Sequence, residues 1–281
     1  MIDRRDFIKT TSGLALTGFA LPYIGCGDSA SKMKKLEKIG LQLYTIRSKM
    51  KDDFEGSLAK VAEIGYKEVE FAGYYDRKPE QVAKILKELG LEAPSTHVPL
   101  DLIKTQLPKL VDDATALGHK YIICPWVDKK QFTTKYDWKT LAETFNKAGE
   151  ICNMVGLKFG YHNHAFEFEP VEGELPMDIL LAETDEERVV FELDLFWIKK
   201  GGYKALDYFE KYPGRFQLCH VKDMAAEQAM VAVGSGTIDF ATIFGASGQA
   251  GLKHYFVEHD NPDDPIASIS ASFKYLQNLS Y

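Results

Sequence analysis

The segment from Lys158 to Pro170 concentrates side chains that can bind a metal ion or transfer a proton. It reads KFGYHNHAFEFEP, and four polar residues follow its strand-like start: His162, Asn163, His164 and Glu167. Because successive side chains of a strand alternate between faces, His162 and His164 point the same way. Two imidazoles beside a carboxylate suit a divalent metal or a proton-transfer site. Hydrogen-bonded polar groups at a strand end would give the same pattern, so the other strands have to decide.

The rest of the chain alternates short β-rich runs with longer helical patterns. Eight runs are predicted strands: Ile39–Arg47, Glu68–Gly73, Glu92–Pro99, Tyr121–Trp126, Lys158–His164, Val190–Trp197, Phe216–Asp223 and Tyr255–Asp260. Several of the intervening helices end on a glycine, as a left-handed cap prefers: Gly65, Gly90, Gly118, Gly156 and Gly251. This order predicts an α/β fold, a single (β/α)8 TIM barrel over residues 37–281. A doubly wound sheet is the alternative, but no Gly-rich dinucleotide fingerprint follows the first strand.

The alternation along these strands predicts which side chains face the barrel interior. Four apolar residues are expected to face outward under the helices: Leu193, Leu195, Val221 and Val257. The opposite parity directs polar residues inward near the carboxyl ends of the strands, where enzymes of this fold keep their catalytic groups. These residues are Gln42, Glu70, His97, His162, His164, Asp194, His220, Lys222 and Glu258.

Four of the inward residues form a candidate ligand set for one divalent ion. They come from strands five to eight and are His162, Asp194, His220 and Glu258. Since the set offers nitrogen and oxygen without a thiolate, it favours Mn²⁺, Co²⁺, Mg²⁺ or Zn²⁺ over a structural cysteine–zinc site. Each residue alone would also serve as an interior hydrogen-bonding group. The agreement of four strand ends favours the metal.

Residues 1–26 are predicted to be an export signal. Arg4 and Arg5 form a twin-arginine pattern, and the weakly apolar run 14–24 is about half the ~20 residues that a membrane-spanning helix needs. The residues before Cys26 resemble a lipobox, with Cys26 as the lipidated residue; simple cleavage is the alternative. Residues 27–36 are expected to be a tether. The predicted location is the periplasm, with membrane attachment only through a lipid on Cys26.

The charge of the chain argues against a nucleic-acid partner. Its formal net charge is −7, and the charges of residues 1–31 cancel, so the remainder keeps that value. The acidity by itself indicates only ordinary solubility. Cys124, Cys152 and Cys219 lack paired spacing and are expected to be free and buried. Nothing in the sequence indicates an oligomeric state.

Seven segments, in order, resemble the sugar phosphate isomerase/epimerase superfamily of xylose isomerase-like TIM barrels. They are GLQLYTIR (40–47), EVEFAG (68–73), GYHNHAFEF (160–168), FELDLFW (191–197), CHVKD (219–223), VGSGTIDF (233–240) and FVEHD (256–260). The resemblance implies metal ligands Glu, Asp, His and Glu at the ends of strands five to eight. Asp194, His220 and Glu258 match that pattern, whereas His162 stands where many epimerases have a glutamate. This departure makes a two-glutamate epimerisation doubtful and leaves enolisation followed by isomerisation or by loss of water or an alcohol.

The resemblance implies a metal-dependent sugar isomerase/epimerase-type enzyme that removes a proton next to a carbonyl. Its alternative is a lyase, hydratase or dehydratase acting on a keto-sugar glycoside or an inosose. Candidate catalytic residues are Glu258, Glu167, His164 and Lys222, and candidate substrate-binding residues are His97, Glu70, Gln42 and Trp197. Glu167 and His164 could instead orient His162, and Lys222 could pair with Asp223 or Glu192.

The predicted partner is a small unphosphorylated sugar. Gly234–Thr237 precedes the seventh helix and could bind phosphate, but a loop ended by a cap at Thr237 or Asp239 is the simpler interpretation. An exported protein also seldom meets sugar phosphates. Two rival functions stay open: a metal-dependent apurinic endonuclease, against which the acidity argues, and a non-catalytic sugar-binding lipoprotein.

Overall fold

Eight short parallel strands close into a ring and confirm the predicted (β/α)8 barrel. The computed structural model describes residues 33–281. The strands of the ring are β1 (Gly40–Gln42), β2 (Glu68–Phe71), β3 (Glu92–His97), β4 (Tyr121–Cys124), β5 (Lys158–His162), β6 (Val189–Asp194), β7 (Phe216–Val221) and β10 (His254–Val257). Around the ring their order is β1-β10-β7-β6-β5-β4-β3-β2. A small antiparallel pair, β8 (Asp223–Met224) and β9 (Met230–Val231), follows β7 and was not predicted.

Eleven α-helices lie among the described residues, and most of them surround the ring. They are α1 (Arg47–Asp52), α2 (Phe54–Ile64), α3 (Pro79–Leu89), α4 (Leu100–Leu117), α5 (Lys135–Asn153), α6 (Pro176–Glu183), α7 (Leu195–Lys200), α8 (Ala205–Lys211), α9 (Phe240–Gly245), α10 (Ser247–Ala250) and α11 (Pro265–Asn278). All five glycines predicted to end helices have positive φ, which confirms that expectation. No helix of residues 33–281 is both long and apolar enough to cross a membrane.

The alternation of side chains separates two cores. A small apolar cluster fills the lower part of the barrel: Tyr121, Ile123, Val190, Leu218 and Phe256. The residues of opposite parity belong to the large cluster between strands and helices, including the predicted Leu193, Val221 and Val257. Polar side chains replace apolar ones further up several strands, among them β3, β6 and β7. The barrel therefore has a dry, apolar base and a polar upper end at which the strands terminate.

Two predicted strands are shorter than expected because polar side chains end them. Gln42 accepts a hydrogen bond from the Tyr44 N–H, and residues 43–46 form a 3₁₀ helix. Asp194 likewise ends β6, since its Oδ1 accepts from Trp197 N at 2.8 Å and caps α7. The expectation that Leu195 is an outward strand residue was therefore wrong: it lies in α7 and is still buried.

The segment before the barrel is attached to the end of the chain. Lys34 N donates to Tyr281 O at 2.7 Å, and Tyr281 N donates back to Lys34 O at 3.0 Å. Lys34, within the predicted tether of residues 27–36, is thus hydrogen-bonded to the last residue of the barrel domain. The predicted export signal, the lipobox with Cys26 and the start of the tether lie outside the described residues.

Gly149 marks a close approach between α5 and the chain entering β6. A Cβ on Gly149 would lie 2.4 Å from the backbone oxygen of Arg188. We expect Gly149→Ala to lower the free energy of unfolding by about 1–3 kcal/mol, although alanine is the better helix former. Urea unfolding measures the change. Gly248→Ala in α10, where no atom lies within 4 Å of the new Cβ, is the control and should not destabilise. Equal stabilities of the two variants would contradict this packing.

Candidate active site

His220 on β7 lies at the centre of the polar end of the barrel and has a different cluster on each side. Its Nδ1 faces the upper ligand cluster, made of His162, Asp194, His220 and Glu258. Its Nε2 faces the lower ligand cluster, made of Glu70, His97, Glu192 and His220. Within each cluster one ligand atom per residue lies within 4.8 Å of all the others. The structure thus brings together all four predicted metal ligands.

Hydrogen bonds to neighbouring groups orient three ligands of the upper cluster. In His162, His220 and Asp194 they leave one nitrogen or oxygen facing the cluster. The Nδ1 of His162 lies 3.0 Å from Pro125 O, and the Nε2 of His220 lies 2.8 Å from Glu70 Oε2. These partners accept the N–H of each ring, so the opposite nitrogen is the one that can bind an ion once it carries no proton. Asp194 is held through Oδ1, which leaves Oδ2 at 3.2 Å from His162 Nε2.

The contact between His220 and Glu258 tests whether an ion fits. His220 Nδ1 lies 2.7 Å from Glu258 Oε2, yet Nδ1 is buried and has no hydrogen-bond partner of acceptable geometry. Two potential metal-ligand atoms that lie so close together without a hydrogen bond between them suit a cation bound by both. Two imidazole nitrogens and two carboxylate oxygens are ligands that Zn²⁺, Mn²⁺ and Co²⁺ accept. The residues present therefore fit one divalent ion.

Lys222 supplies the positive charge next to this cluster. Its Nζ lies 3.0 Å from Asp194 Oδ2, 2.7 Å from Glu258 Oε2 and 2.8 Å from Asp260 Oδ1. Burial opposes the charge of Lys222, but Asp194 and Glu258 raise its pKa above the ordinary value. Burial likewise opposes the charge of Asp194, and Lys222 and His162 lower the pKa of Asp194 to about 2. Lys222 pairs with these three carboxylates and not with Asp223 or Glu192.

A cavity of about 390 Å³ opens above the upper cluster. It is lined by Tyr44, Ala72, His97, Pro99, Pro125, Trp126, His162, His164, Lys222, Glu258, Asp260 and Asn261. Trp126 is 50% exposed at its mouth, which suits stacking on a sugar ring. Asp260 and Asn261 were not among the predicted site residues. The FVEHD motif that carries Glu258 also contains Asp260 and could have indicated it.

His164 lines the cavity, whereas Glu167 lies behind it. Burial, His162 and Lys222 lower the pKa of His164 well below the ordinary value, so its imidazole is neutral at pH 7. Glu167 is fully buried and accepts hydrogen bonds from Tyr161 Oη at 2.5 Å and His164 N at 2.8 Å. Its placement favours positioning of the His164 backbone, and a direct catalytic role of Glu167 has no contact to support it.

The predicted substrate-binding residues lie at different depths. His97 lines the cavity floor. Glu70 and Gln42 are fully buried beneath it, where Gln42 Nε2 donates to Glu70 Oε2 at 2.7 Å. Their placement does not support contact with sugar hydroxyls and favours support of His220. Trp197 packs beside His164, with ring centroids 5.4 Å apart, and forms part of the wall behind it.

The glycine-rich loop after β7 binds the carboxylate of Asp223 through its backbone N–H groups. The buried carboxylate of Asp223 accepts hydrogen bonds from the backbone N–H groups of Met224, Gly234, Gly236 and Ile238 at 2.8–3.2 Å. A Cβ on Gly236 would lie 2.3 Å from Asp223 Oδ1, so the loop is closely fitted to this carboxylate. These N–H groups are therefore not free for a phosphate, and α9 is capped by Asp239, one of the two predicted caps.

Removal of the Asp223 carboxylate should loosen this loop without reaching the ligand clusters. Because hydrogen bonds to a charged group are worth about 1.5–3 kcal/mol each, we expect Asp223→Ala to lower the free energy of unfolding by at least ~3 kcal/mol. Denaturant unfolding measures it. Asp239→Ala, which removes an exposed cap, is the control and should cost about 1 kcal/mol. A smaller loss for Asp223 than for Asp239 would contradict the anchoring role.

The comparisons with known proteins agree with the fold and with the class of enzyme. A family model described as xylose isomerase-like TIM barrel matches residues 58–279. The chain belongs to this family. The inosose dehydratase of Clostridium perfringens is 26% identical over 253 residues, covering 76% of this chain and 84% of the relative. The prediction of a sugar-modifying enzyme is confirmed at the level of this family.

Solved structures give the same result. A sugar phosphate isomerase/epimerase from Parabacteroides distasonis has a TM-score of 0.77 and 28% identity, and covers 86% of this chain and 98% of its own. The IolI protein with a bound zinc atom has a TM-score of 0.70 and 16% identity, with 84% and 95% covered. At that identity the second likeness shows the fold alone.

Proposed function

We propose that this protein is a divalent-metal-dependent enzyme that removes a proton next to the carbonyl of an unphosphorylated polyhydroxylated ketone and then expels water or an alcohol. An inosose or a keto-sugar glycoside is the substrate class. The observation that supports this most directly is the convergence of four ligand atoms beside Lys222, with His162, Lys222 and Glu258 lining one cavity. The named inosose dehydratases among the relatives support the same reaction class.

His162, Asp194, His220 and Glu258 would hold the ion. When bound, the ion would act as a Lewis acid on substrate oxygens and lower the cost of enolisation. Glu258 faces the cavity and is the candidate base for the carbon-bound proton. Lys222, 2.7 Å from Glu258 Oε2, is placed to hold the developing oxyanion or an adjacent hydroxyl. Glu258, once protonated, can return that proton to the leaving hydroxyl or alkoxide, and the neutral His164 in the same cavity can hydrogen-bond the substrate.

The distribution of carboxylates favours elimination over epimerisation. Among the described residues that line the cavity, the carboxylates are Glu258 and Asp260, and both follow the same strand, β10. The position across the barrel, where a second carboxylate would exchange a proton from the opposite face, holds His162 and His164. An epimerase or isomerase would have to use His164 as the second proton carrier. The likeness to a named isomerase/epimerase keeps this as the second candidate function.

Proton exchange in D₂O tests the proposal and separates the two reactions. The metal-loaded enzyme is incubated with an inosose, with 3-keto-glucosides and with free pentoses and hexoses, and products are followed by NMR. We expect deuterium at the α-carbon together with an unsaturated or eliminated product. Exchange with inversion and no elimination would favour the epimerase. The absence of exchange with every ketone, with metal bound, would contradict the proposed chemistry.

We also propose that residues 1–26 direct export and that Cys26 carries a lipid. The twin-arginine pattern and the lipobox-like residues support this. Expression of the full chain in a twin-arginine-competent bacterium should place the protein in the membrane fraction facing the periplasm. Cys26→Ala should release it into the soluble periplasmic fraction. A cytoplasmic location of the unaltered chain would contradict export.

A further inference from the structure

The lower ligand cluster forms a closed ring of alternating nitrogen and oxygen atoms. His97 Nε2 lies 2.8 Å from Glu192 Oε2 and 3.1 Å from Glu70 Oε2. His220 Nε2 lies 2.8 Å from Glu70 Oε2 and 3.2 Å from Glu192 Oε2. Each nitrogen therefore faces both carboxylates. Two N–H groups cannot serve four such contacts, so hydrogen bonds alone account for only part of the ring.

The same ring is buried and contains two carboxylates. The side chains of Glu70, Glu192 and His220 are fully buried, and that of His97 is 9% exposed. The Oε1 atom of Glu192 is buried and has no hydrogen-bond partner among the described residues. Two carboxylates that face each other inside a protein need compensating positive charge. His97 and His220 are the described residues placed to supply that charge when protonated, and a divalent ion at the centre of the ring would supply it in place of their protons.

We propose that the lower ligand cluster binds a second divalent first-row transition-metal ion, with His220 as the ligand shared between the two clusters. The four contacts are short enough for one ion to reach all four atoms: if the atoms stood at the corners of a square with sides of 2.8–3.2 Å, its centre would lie about 2.1 Å from each, a length in the range of Zn–N and Zn–O bonds. His220 would bind the upper ion through Nδ1 and the lower ion through Nε2. His97 and His220 would both bind the lower ion through Nε2, so both Nε2 protons leave to solvent when that ion binds; His220, bound through both nitrogens, would then be an imidazolate, and no electron is transferred.

The surroundings of the ring suit an ion that arrives from the cavity. Ser95 Oγ donates to Glu70 Oε1 at 2.5 Å and fixes the carboxylate on the side away from the ring. His97 is the ring member that reaches the cavity floor, so it forms the entrance. Below the ring lies the apolar base of the barrel, which closes the path from the other end. The lower ion would support the imidazole that holds the upper one.

Equilibrium dialysis against Zn²⁺, with metal counted per chain by elemental analysis, tests this inference. We expect two ions per wild-type chain, one in Glu192→Gln and one in Asp194→Ala. Glu68→Gln is the matched control, because Glu68 is a buried glutamate that pairs with His254 Nδ1 at 2.9 Å outside both clusters. This control should keep two ions. His97→Asn replaces Glu192→Gln if that variant fails to fold.

The outcomes separate this inference from the proposed function. One ion in the wild type, lost in Asp194→Ala and retained in Glu192→Gln, would overturn the second site and leave the first intact. Two ions in both the wild type and Glu192→Gln would also overturn it. Absence of any ion would remove both proposals. Proton release on Zn²⁺ binding gives a second measurement: we expect Glu192→Gln to release fewer protons per chain than the wild type.

Discussion

Glu258→Gln is expected to reduce turnover by on the order of 10³-fold or more while the barrel stays folded. The amide cannot accept the carbon-bound proton, and it is a weaker ligand than the carboxylate in the upper ligand cluster. Because Glu258 also lies 2.7 Å from Lys222 Nζ, the substitution removes one of the three carboxylates around that ammonium group. Steady-state kinetics on the substrate found by proton exchange measure the effect.

The control for Glu258→Gln is again Glu68→Gln, which makes the same chemical change in a buried glutamate at the opposite end of the barrel. We expect Glu68→Gln to keep turnover within a few-fold of wild type. Thermal unfolding of both variants shows whether the fold is retained. Turnover of Glu258→Gln equal to that of wild type would refute the role of Glu258 as base and ligand.

Asp194→Ala is expected to lose the ion of the upper ligand cluster and, with it, activity. Asp194 supplies an oxygen 3.2 Å from His162 Nε2 and, through Oδ1, caps α7. The alanine variant should therefore also lose about 1 kcal/mol of stability from the missing cap. Metal analysis after dialysis measures the first effect, and denaturant unfolding measures the second.

Asp194→Asn separates these two effects. Its amide oxygen can still accept from Trp197 N, so the stability of the cap should be retained. The loss of the charged ligand should still weaken binding of the upper ion. Wild-type metal content in both variants would contradict the ligand assignment. Wild-type metal content in the asparagine variant alone would show that Asp194 acts mainly as a helix cap.

The barrel could be predicted because its signals are local and repeated. Alternation along β6, β7 and β10 assigns Leu193, Val221 and Val257 to the outer core and the polar residues between them to the interior. Glycine caps mark where helices end. The same rules could not place the ends of β1 and β6. There the side chains of Gln42 and Asp194 accept hydrogen bonds from backbone N–H groups, which starts a helix where the sheet hydrogen bonding would otherwise continue. Asp194 turns the chain into α7 by capping it, although Leu195 to Trp197 resemble a continuing strand.

The ligand set could be predicted from parity, but the roles around it could not. Glu167 and His164 belong to one motif, and the structure places one behind the strand and the other in the cavity. Glu70 faces the barrel interior, as its parity predicts, but it lies too deep to reach the cavity and contacts His220 Nε2 instead. Parity gives the face of a strand and not the depth along the barrel axis. Depth decides whether a polar residue contacts substrate, an ion or another ligand.

Anomalous diffraction from a crystal soaked in Zn²⁺ or Mn²⁺ is the most direct test of the central claim. We expect a peak at the floor of the cavity, within about 2.0–2.3 Å of His162 Nε2, Asp194 Oδ2, His220 Nδ1 and Glu258 Oε2. Lys222 should lie beside it without being a ligand. A cavity floor with no anomalous peak at a saturating ion concentration, and with Lys222 Nζ still between Asp194 and Glu258, would contradict the account.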